Sequence, residues 1–423
     1  MHKILATAAL ALTAATTTHA YPIFGSEGTG IERLEYERRV HAGTIQGRER
    51  VSGELRALAD VRLRLLDRPD MELPAPDAAL GARLVGLLGD GASRYSLTVL
   101  DLTDPTNPRY GEHNAGEARN PGSVGKIVVA AAIFQALADA WPGDDARREQ
   151  VLRDTIIEAD DFILVDSHTV RFFKPGDGRL LRRPLQVGDT GNLWQWLDWM
   201  LSASSNAAAA VMMREAMLIA HYGKDYPPPR AEAIRFFAET PRQTLSDLLR
   251  RTMDTPLVRA GLDVEALRQG SFFTRTGKRK VSGTSSYATA RELARYLLRL
   301  EQGRIVDRFS SLEIKRLLYM TERRIRYASS PALRDAAVYF KSGSLYQCVP
   351  EAGFTCKKYH GNKMNLMNSI AIVEETDPAG GPELHYLATL TSNVLKRNSA
   401  VDHQTLATRI HRLLEAEHGI ARQ

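Results

Sequence analysis

Strand-forming sequence lies at both ends of the main body of this chain, and a long helical stretch separates the two. Near the front, residues 95–102 alternate Leu97, Val99 and Asp101 with Thr98, Leu100 and Leu102, which is the two-residue period of a strand. Toward the end, residues 337–340, 370–373 and 385–390 read as three more strands, the last two joined through a Gly380-Gly381-Pro382 turn. Between these regions, as far as about Lys280, the pattern is helical except for a hairpin over residues 170–185, turning at Pro175-Gly176-Asp177-Gly178. A sheet drawn from both ends of a chain has to close around what is inserted between them. The expectation is an α/β lobe with an all-helical lobe set into it, and a cleft between two lobes is a natural ligand site.

Helices frame the strands. Residues 78–88 form a short one. The next starts at about Ser123 and carries Ile127, Ala130, Ala131, Phe134, Leu137 and Ala138 on one stripe before Trp141-Pro142-Gly143 ends it. Another begins near residues 284–287 and carries Leu293, Tyr296, Leu297 and Leu300. A closing helix starts at Ser399 and carries Leu406, Ile410, Leu413 and Leu414. Ahead of the body, residues 31–67 read as helical, with Leu55, Leu58, Val61 and Leu65 at helical spacing, and Pro69, Pro74 and Pro76 then mark a linker. The implied division is a signal over residues 1–20, a helical extension and linker over 21–76, and a catalytic body over 77–423. Within that body the sheet lobe takes residues 77–122 and 284–423, and the helical lobe takes 123–283.

The first residues have the form of a cleaved export signal. Lys3 precedes a small and apolar run over residues 4–15, and Thr18-His19-Ala20 gives a small-x-small cut before Tyr21. That run is too short to span a bilayer, and no later segment reads as a membrane span. The expected location is the periplasm or the exterior. Cys348 and Cys356 would there meet an oxidising environment, so a disulfide closing a small loop is expected, contributing about 2–3 kcal/mol at best. The 56 Lys and Arg residues are intermixed with 50 Asp and Glu, and a net charge of +6 does not imply nucleic acid. There is no Cys-x-x-Cys and no His pair at zinc-ligand spacing, so neither a metal nor another cofactor is expected. Nothing in the sequence fixes an oligomeric state.

Three short motifs carry chemistry. Ser123-Val124-Gly125-Lys126 opens the apolar helix after Asn120-Pro121-Gly122. Residues three apart share a helix face, so the Lys126 amine can reach the Ser123 hydroxyl and accept its proton. The helix N-terminus adds a field that favours developing negative charge. Ser204-Ser205-Asn206 follows a helix containing Trp194, Trp196 and Trp199, and offers a second hydroxyl to pass a proton to a leaving nitrogen and an amide to hold substrate. Lys341-Ser342-Gly343 follows the strand at residues 337–340. Its amine and hydroxyl suit a substrate carboxylate, Gly343 allows close backbone approach, and the Ser344 N–H can pair with that of Ser123 as an oxyanion hole.

Each motif alone is a weak signal. In this order and on these elements, the chain resembles the class A β-lactamases and related penicillin-binding proteins, whose signature is Ser-x-x-Lys, Ser-x-Asn and Lys-Thr/Ser-Gly. The resemblance covers about Asp77 to the C-terminus. It implies the β-lactamase/transpeptidase-like fold: an antiparallel five-stranded sheet flanked by helices, with a helical lobe inserted. It also implies Ser123 as nucleophile with Lys126 as its partner, Ser204 and Asn206 serving leaving group and substrate, Lys341 and Ser342 taking the substrate carboxylate, and the Ser123 and Ser344 amides polarising the carbonyl. The small-molecule partner so implied is a β-lactam or a peptidoglycan peptide.

One part of the family pattern is missing. Class A enzymes use a glutamate and an asparagine to hold the water that removes the acyl group. No asparagine occurs between Asn206 and Gly283, and Glu239 and Glu265 stand outside that loop pattern. Acylation is therefore better supported than deacylation. Three activities follow as expectations: hydrolysis of a β-lactam or related amide, cleavage of D-alanyl-D-alanine peptides, or non-catalytic sensing of β-lactams or cell wall.

Overall fold

The computed structural model describes residues 25–376 and 383–420, apart from Pro175 and Asp177. The expected signal at residues 1–20 and the Gly380-Gly381-Pro382 turn lie outside the described residues, as do two positions of the hairpin turn.

Five strands form one antiparallel sheet: β1 (Tyr95–Asp101), β2 (Arg109–His113), β3 (Ala337–Gln347), β4 (Met364–Glu375) and β5 (Leu384–Asn393). Their order across the sheet is β2-β1-β5-β4-β3, so strands from the two ends of the body meet at the β1–β5 pair, with Leu97 opposite Leu390 and Val99 opposite Ala388. Both faces of the sheet are covered. Leu97, Val99, Val338 and Ala371 pack with Leu80, Leu84, Leu406 and Ile410 of the helices Ala78–Leu88 and Ser399–Glu417. Leu100, Tyr339, Ile370 and Ile372 point the other way, into the core shared with the inserted lobe. Alternate residues thus serve opposite cores, which is why stretches such as 338–340 and 370–373 are apolar at consecutive positions rather than polar on one side.

The inserted lobe is built around the helix Lys126–Ala140, where all but Ala138 and Asp139 are buried. It packs against Leu193–Leu201, Asn206–Tyr222 and Arg242–Arg259. Contrary to the sequence reading, one later segment, Gly122–Ala140, is long and apolar enough to cross a bilayer. Burial on all sides by neighbouring helices accounts for that composition. The lobe is also not all-helical. The expected hairpin pairs Thr169–Phe173 with Leu180–Pro184, and two shorter pairs join Ile156–Glu158 to Thr190–Asn192 and Leu267–Arg268 to Tyr287–Ala288. The last pair corrects a helix start. Tyr287–Ala288 is extended, and the helix Ala290–Glu301 begins only after Thr289 caps it by accepting from Glu292 N.

The extension departs most from the sequence reading of helix over residues 31–67. Its helix runs only over Glu32–His41, and two single turns, Ser52–Glu54 and Leu58–Asp60, follow. Gly43 leaves the helix in the left-handed region, at φ +70. At Gly53 the chain is pressed so closely to the body that a Cβ would stand 2.1 Å from the Ala336 carbonyl. Val61, Leu63 and Leu65 are buried at alternate positions, the period of extended chain. The short helix is anchored by Arg33, which is fully buried and grips Asp198 with Nε and Nη2 at 2.7 and 2.6 Å. Cys348 and Cys356 are joined as expected, in a loop that leaves the end of β3.

Candidate active site

Gly122, at φ +53, turns the chain into the short Gly122–Gly125 turn that leads into the helix Lys126–Ala140. β3 lies directly against this turn. A Cβ on Gly343 would stand 2.4 Å from Pro121 O and 2.5 Å from Ser123 N, and a Cβ on Gly122 would stand 3.2 Å from Ser344 N. Only glycine permits that approach, and the Ser123 and Ser344 amides border it. The basic motif lies within the strand rather than after it, because β3 continues through Lys341 to Gln347. β3 is the sheet's edge strand, so this stretch faces the inserted lobe unobstructed.

Lys126 is fully buried beneath Ser123. Its Nζ lies 2.7 Å from Ser123 Oγ, 2.9 Å from Ser204 O and 2.7 Å from Asn206 Oδ1. The last two atoms are pure acceptors. A neutral amine has two N–H groups and one lone pair, so donation to Ser204 O and Asn206 Oδ1 leaves the lone pair for the Ser123 hydroxyl. Burial, reinforced by the Arg326 charge and opposed by Asp166, brings the Lys126 amine down to about 7. The Phe273 ring, 4.5 Å from Nζ, closes the remaining side.

The Ser204-Ser205-Asn206 corner is held from below. Ser204 takes a left-handed φ of 63, which presents its carbonyl to Lys126 and its hydroxyl to Lys341 Nζ at 2.8 Å. Ser205 caps the helix Asn206–Tyr222 by accepting from Ala208 N. Asp166 fixes the corner, accepting from Ser205 Oγ and Ala207 N, each at 2.9 Å. Its other oxygen accepts from His168 N at 3.1 Å and lies 2.6 Å from His168 Nδ1. Burial opposes ionisation of Asp166, but the bonds from His168 and Ala207 outweigh it and hold the carboxyl well below its usual range.

Lys341 is buried too, and burial together with Lys126 and Arg326 drives its amine well below the usual lysine range. Arg326, at φ 54, donates to Ser342 Oγ at 2.8 Å, Ser344 Oγ at 3.1 Å and Tyr359 OH at 3.1 Å. The eight residues singled out from sequence, Ser123, Lys126, Ser204, Asn206, Lys341, Ser342, Gly343 and Ser344, thus converge on one cleft. Glu239 and Glu265 do not join it. Glu239 is exposed at the end of the helix Arg230–Glu239, and Glu265 is engaged by Arg268 and Tyr287.

Sequence reasoning missed Asp166, His168, Phe273, Arg326 and Tyr359. Asp166-Ser167-His168 carries one local signal, a turn-forming aspartate just ahead of the hairpin strand, where His168 N bonds back to the Asp166 side chain. Arg326 belongs to the basic run Arg323-Arg324-Ile325-Arg326, whose direction no local pattern reveals.

A family model described as the beta-lactamase enzyme family matches residues 80–360. No curated protein matches the sequence. Among solved structures, a beta-lactamase from Sphaerobacter thermophilus is 14% identical, with 82% of this chain and 99% of that one covered at a TM-score of 0.50. TLA-3 extended-spectrum beta-lactamase is 13% identical over 79% of this chain and 98% of its own, also at 0.50. A PBP-A mutant, solved as an acyl-enzyme complex with penicillin G, is 12% identical over 82% of this chain and 100% of its own, at 0.50. At such identities these structures speak for a shared fold.

Proposed function

Because the chain belongs to the beta-lactamase enzyme family, we propose that it is an exported serine hydrolase that forms an acyl-enzyme through Ser123 and hydrolyses a β-lactam or related amide. The observation that carries this reading is the buried, near-neutral Lys126 amine 2.7 Å from the Ser123 hydroxyl. The amine takes the Ser123 proton as Oγ attacks the carbonyl carbon. The Ser123 and Ser344 N–H groups receive the oxyanion. When the carbon–nitrogen bond breaks, the Ser204 hydroxyl gives its proton to the departing nitrogen and is replenished by the proton that Lys126, which borders Ser204, took from Ser123, while Lys341 Nζ holds the Ser204 hydroxyl in place at 2.8 Å. Arg326 and Ser342 hold the substrate carboxylate. The Cys348–Cys356 disulfide suits an oxidising compartment and supports export.

A second reading, a D-alanyl-D-alanine peptidase, gains support from what surrounds the nucleophile. Among the described residues no carboxylate bonds to Ser123 or Lys126, and the Phe273 ring packs against the lysine. Removal of the acyl group is then the slower half of the cycle. Intact mass measurements over time after exposure to benzylpenicillin test both readings. A single adduct is expected, and Ser123→Ala should form none. Labelling that persists in that variant would place the nucleophile elsewhere. Rapid loss of the adduct selects the β-lactamase. A long-lived adduct with cleavage of D-Ala-D-Ala peptides selects the peptidase.

A further inference from the structure

The cleft that contains Ser123 encloses about 920 Å³ and extends well beyond the three motifs. Its charge is one-sided. Arg182, Arg323, Arg324, Arg326, Lys341 and Lys358 line it, against one acidic residue, Glu322, which is buried and held by Arg171 Nε at 2.8 Å. Arg326 and Lys341 already serve the motif site. Arg324 is buried and donates to the carbonyls of Gly53, Leu333 and Ala336.

The remaining three cations stand exposed at the mouth of the cleft on separate segments: Arg182 on the second hairpin strand, Arg323 on the loop after the helix Arg308–Tyr319, and Lys358 just past the disulfide loop. None meets a carboxylate among the described residues. Arg182 Nε donates only to the neutral Thr169 Oγ1 at 2.8 Å, Lys358 Nζ lies 5.1 Å from the Tyr359 ring, and Arg323 makes no ion pair. Some exposed arginines elsewhere are paired, as in Arg230–Glu158 at 2.9 Å, Arg259–Asp139 at 2.5 Å and Arg291–Glu112 at 2.5 Å, and others such as Arg242 and Arg275 are exposed without an ion pair among the described residues. What sets the rim apart is that three such cations from separate segments line one cleft. Unpaired cations gathered around a low-dielectric cleft focus a positive field into it. The Tyr359 phenol registers that field: partial burial pushes it up, yet Arg326 and Lys358 bring it below its usual value.

We propose that this rim is a second anion subsite, and that the natural substrate carries two anionic groups. One is the carboxylate taken by Lys341, Ser342 and Arg326. The other is a further carboxylate, on the acyl side chain of the amide or on an acidic residue of a peptide, received by Arg182, Arg323 and Lys358. The proposal rests on the acylation reading above, so the test separates charge recognition from chemistry.

With the full chain, acylation rates are compared for benzylpenicillin, which has one carboxylate, and carbenicillin, which has two. Equilibrium binding of both is measured calorimetrically on Ser123→Ala. Carbenicillin is expected to react and bind roughly tenfold better at low salt, with the advantage shrinking toward about twofold near 0.5 M salt. The combined variant Arg182→Ala, Arg323→Ala, Lys358→Ala should bring the ratio close to one, while Arg182→Lys, Arg323→Lys, Lys358→Arg should keep it. Equal behaviour of the two penicillins in the wild type, an advantage insensitive to salt, or an advantage that survives truncation would each overturn the subsite. Failure of either penicillin to form an adduct overturns the acylation reading alone, and the binding ratio on Ser123→Ala then decides the subsite.

Discussion

At the scale of single residues, the protonation of Lys126 governs the chemistry. Its folded-state amine lies near 7, far below the ordinary lysine value, chiefly because burial disfavours the ammonium. The base is therefore present above that pH and lost below it. The acylation rate should rise through about pH 7 and level off, dropping about tenfold per unit on the acid side. Adduct formation followed by mass from pH 5 to 9 checks this, and a flat profile would assign the base to another group. Lys126→Arg, whose guanidinium keeps its proton, should lose at least about a hundredfold at any pH in that range.

At the scale of elements, the decisive piece is the corner between the helices Leu193–Leu201 and Asn206–Tyr222, and Asp166 is what holds it. Both of its oxygens act as acceptors, for Ser205, Ala207 and His168. Asp166→Asn turns a donor toward those donors and should cost about 1–3 kcal/mol in stability. It also removes a negative charge that raises the Lys126 amine, so the acid limb of acylation should move to lower pH. Chemical denaturation and the pH profile of the variant read the two effects separately. An unmoved limb would show that Asp166 acts on the corner only through its hydrogen bonds. This element was half legible in the sequence. The hydroxyl and amide of Ser204 and Asn206 stand out, whereas their support comes from a residue 39 positions before Ser205 and is visible only once the chain has folded.

At the scale of the whole molecule, the sheet lobe and the extension are joined through buried charge. Lys315 Nζ donates to Glu301 Oε1 at 2.6 Å, Glu374 Oε1 at 2.7 Å and Arg62 O at 2.6 Å, with all three side chains inaccessible. Arg56 of the extension also reaches Glu374. Burial alone would raise the Glu374 carboxyl, but Lys315, His385 and Arg56 bring it down to about 2. A carboxyl held below its unfolded value stabilises the fold above about pH 4.5, and that stability is lost as the pH falls toward 2. Lys315→Met leaves two buried carboxylates short of a counter-charge and should cost about 3–5 kcal/mol at pH 7. The deficit should shrink at lower pH, where the carboxylates accept protons more readily in the variant. Urea denaturation at pH 7 and pH 5 tests this, and a loss below about 1 kcal/mol at pH 7 would contradict it.

Local pattern alone determined four of the five sheet strands, the apolar helix behind Ser123, the hairpin and the order of the three motifs. These depend on two-residue and 3.6-residue periods and on spacings within one turn of helix, which neighbouring residues settle among themselves. By contrast β2, the short Arg-Tyr-Gly-Glu-His strand at the sheet edge, has no alternation to mark it and shows only in its pairing with β1. Only the tertiary structure decided that Val61, Leu63 and Leu65 lie on extended chain, since the spacing of Val61 and Leu65 from Leu55 and Leu58 also fits a helix. The backbone here bonds instead to the body, Arg62 O accepting from Lys315 Nζ and Arg64 N and Leu65 N donating to Glu301. Only the fold, likewise, brought Arg326, Asp166 and Phe273 to the nucleophile and gave Lys126 a near-neutral amine. Desolvation and long-range charge depend on what surrounds a residue in space, and no window along the chain contains that information.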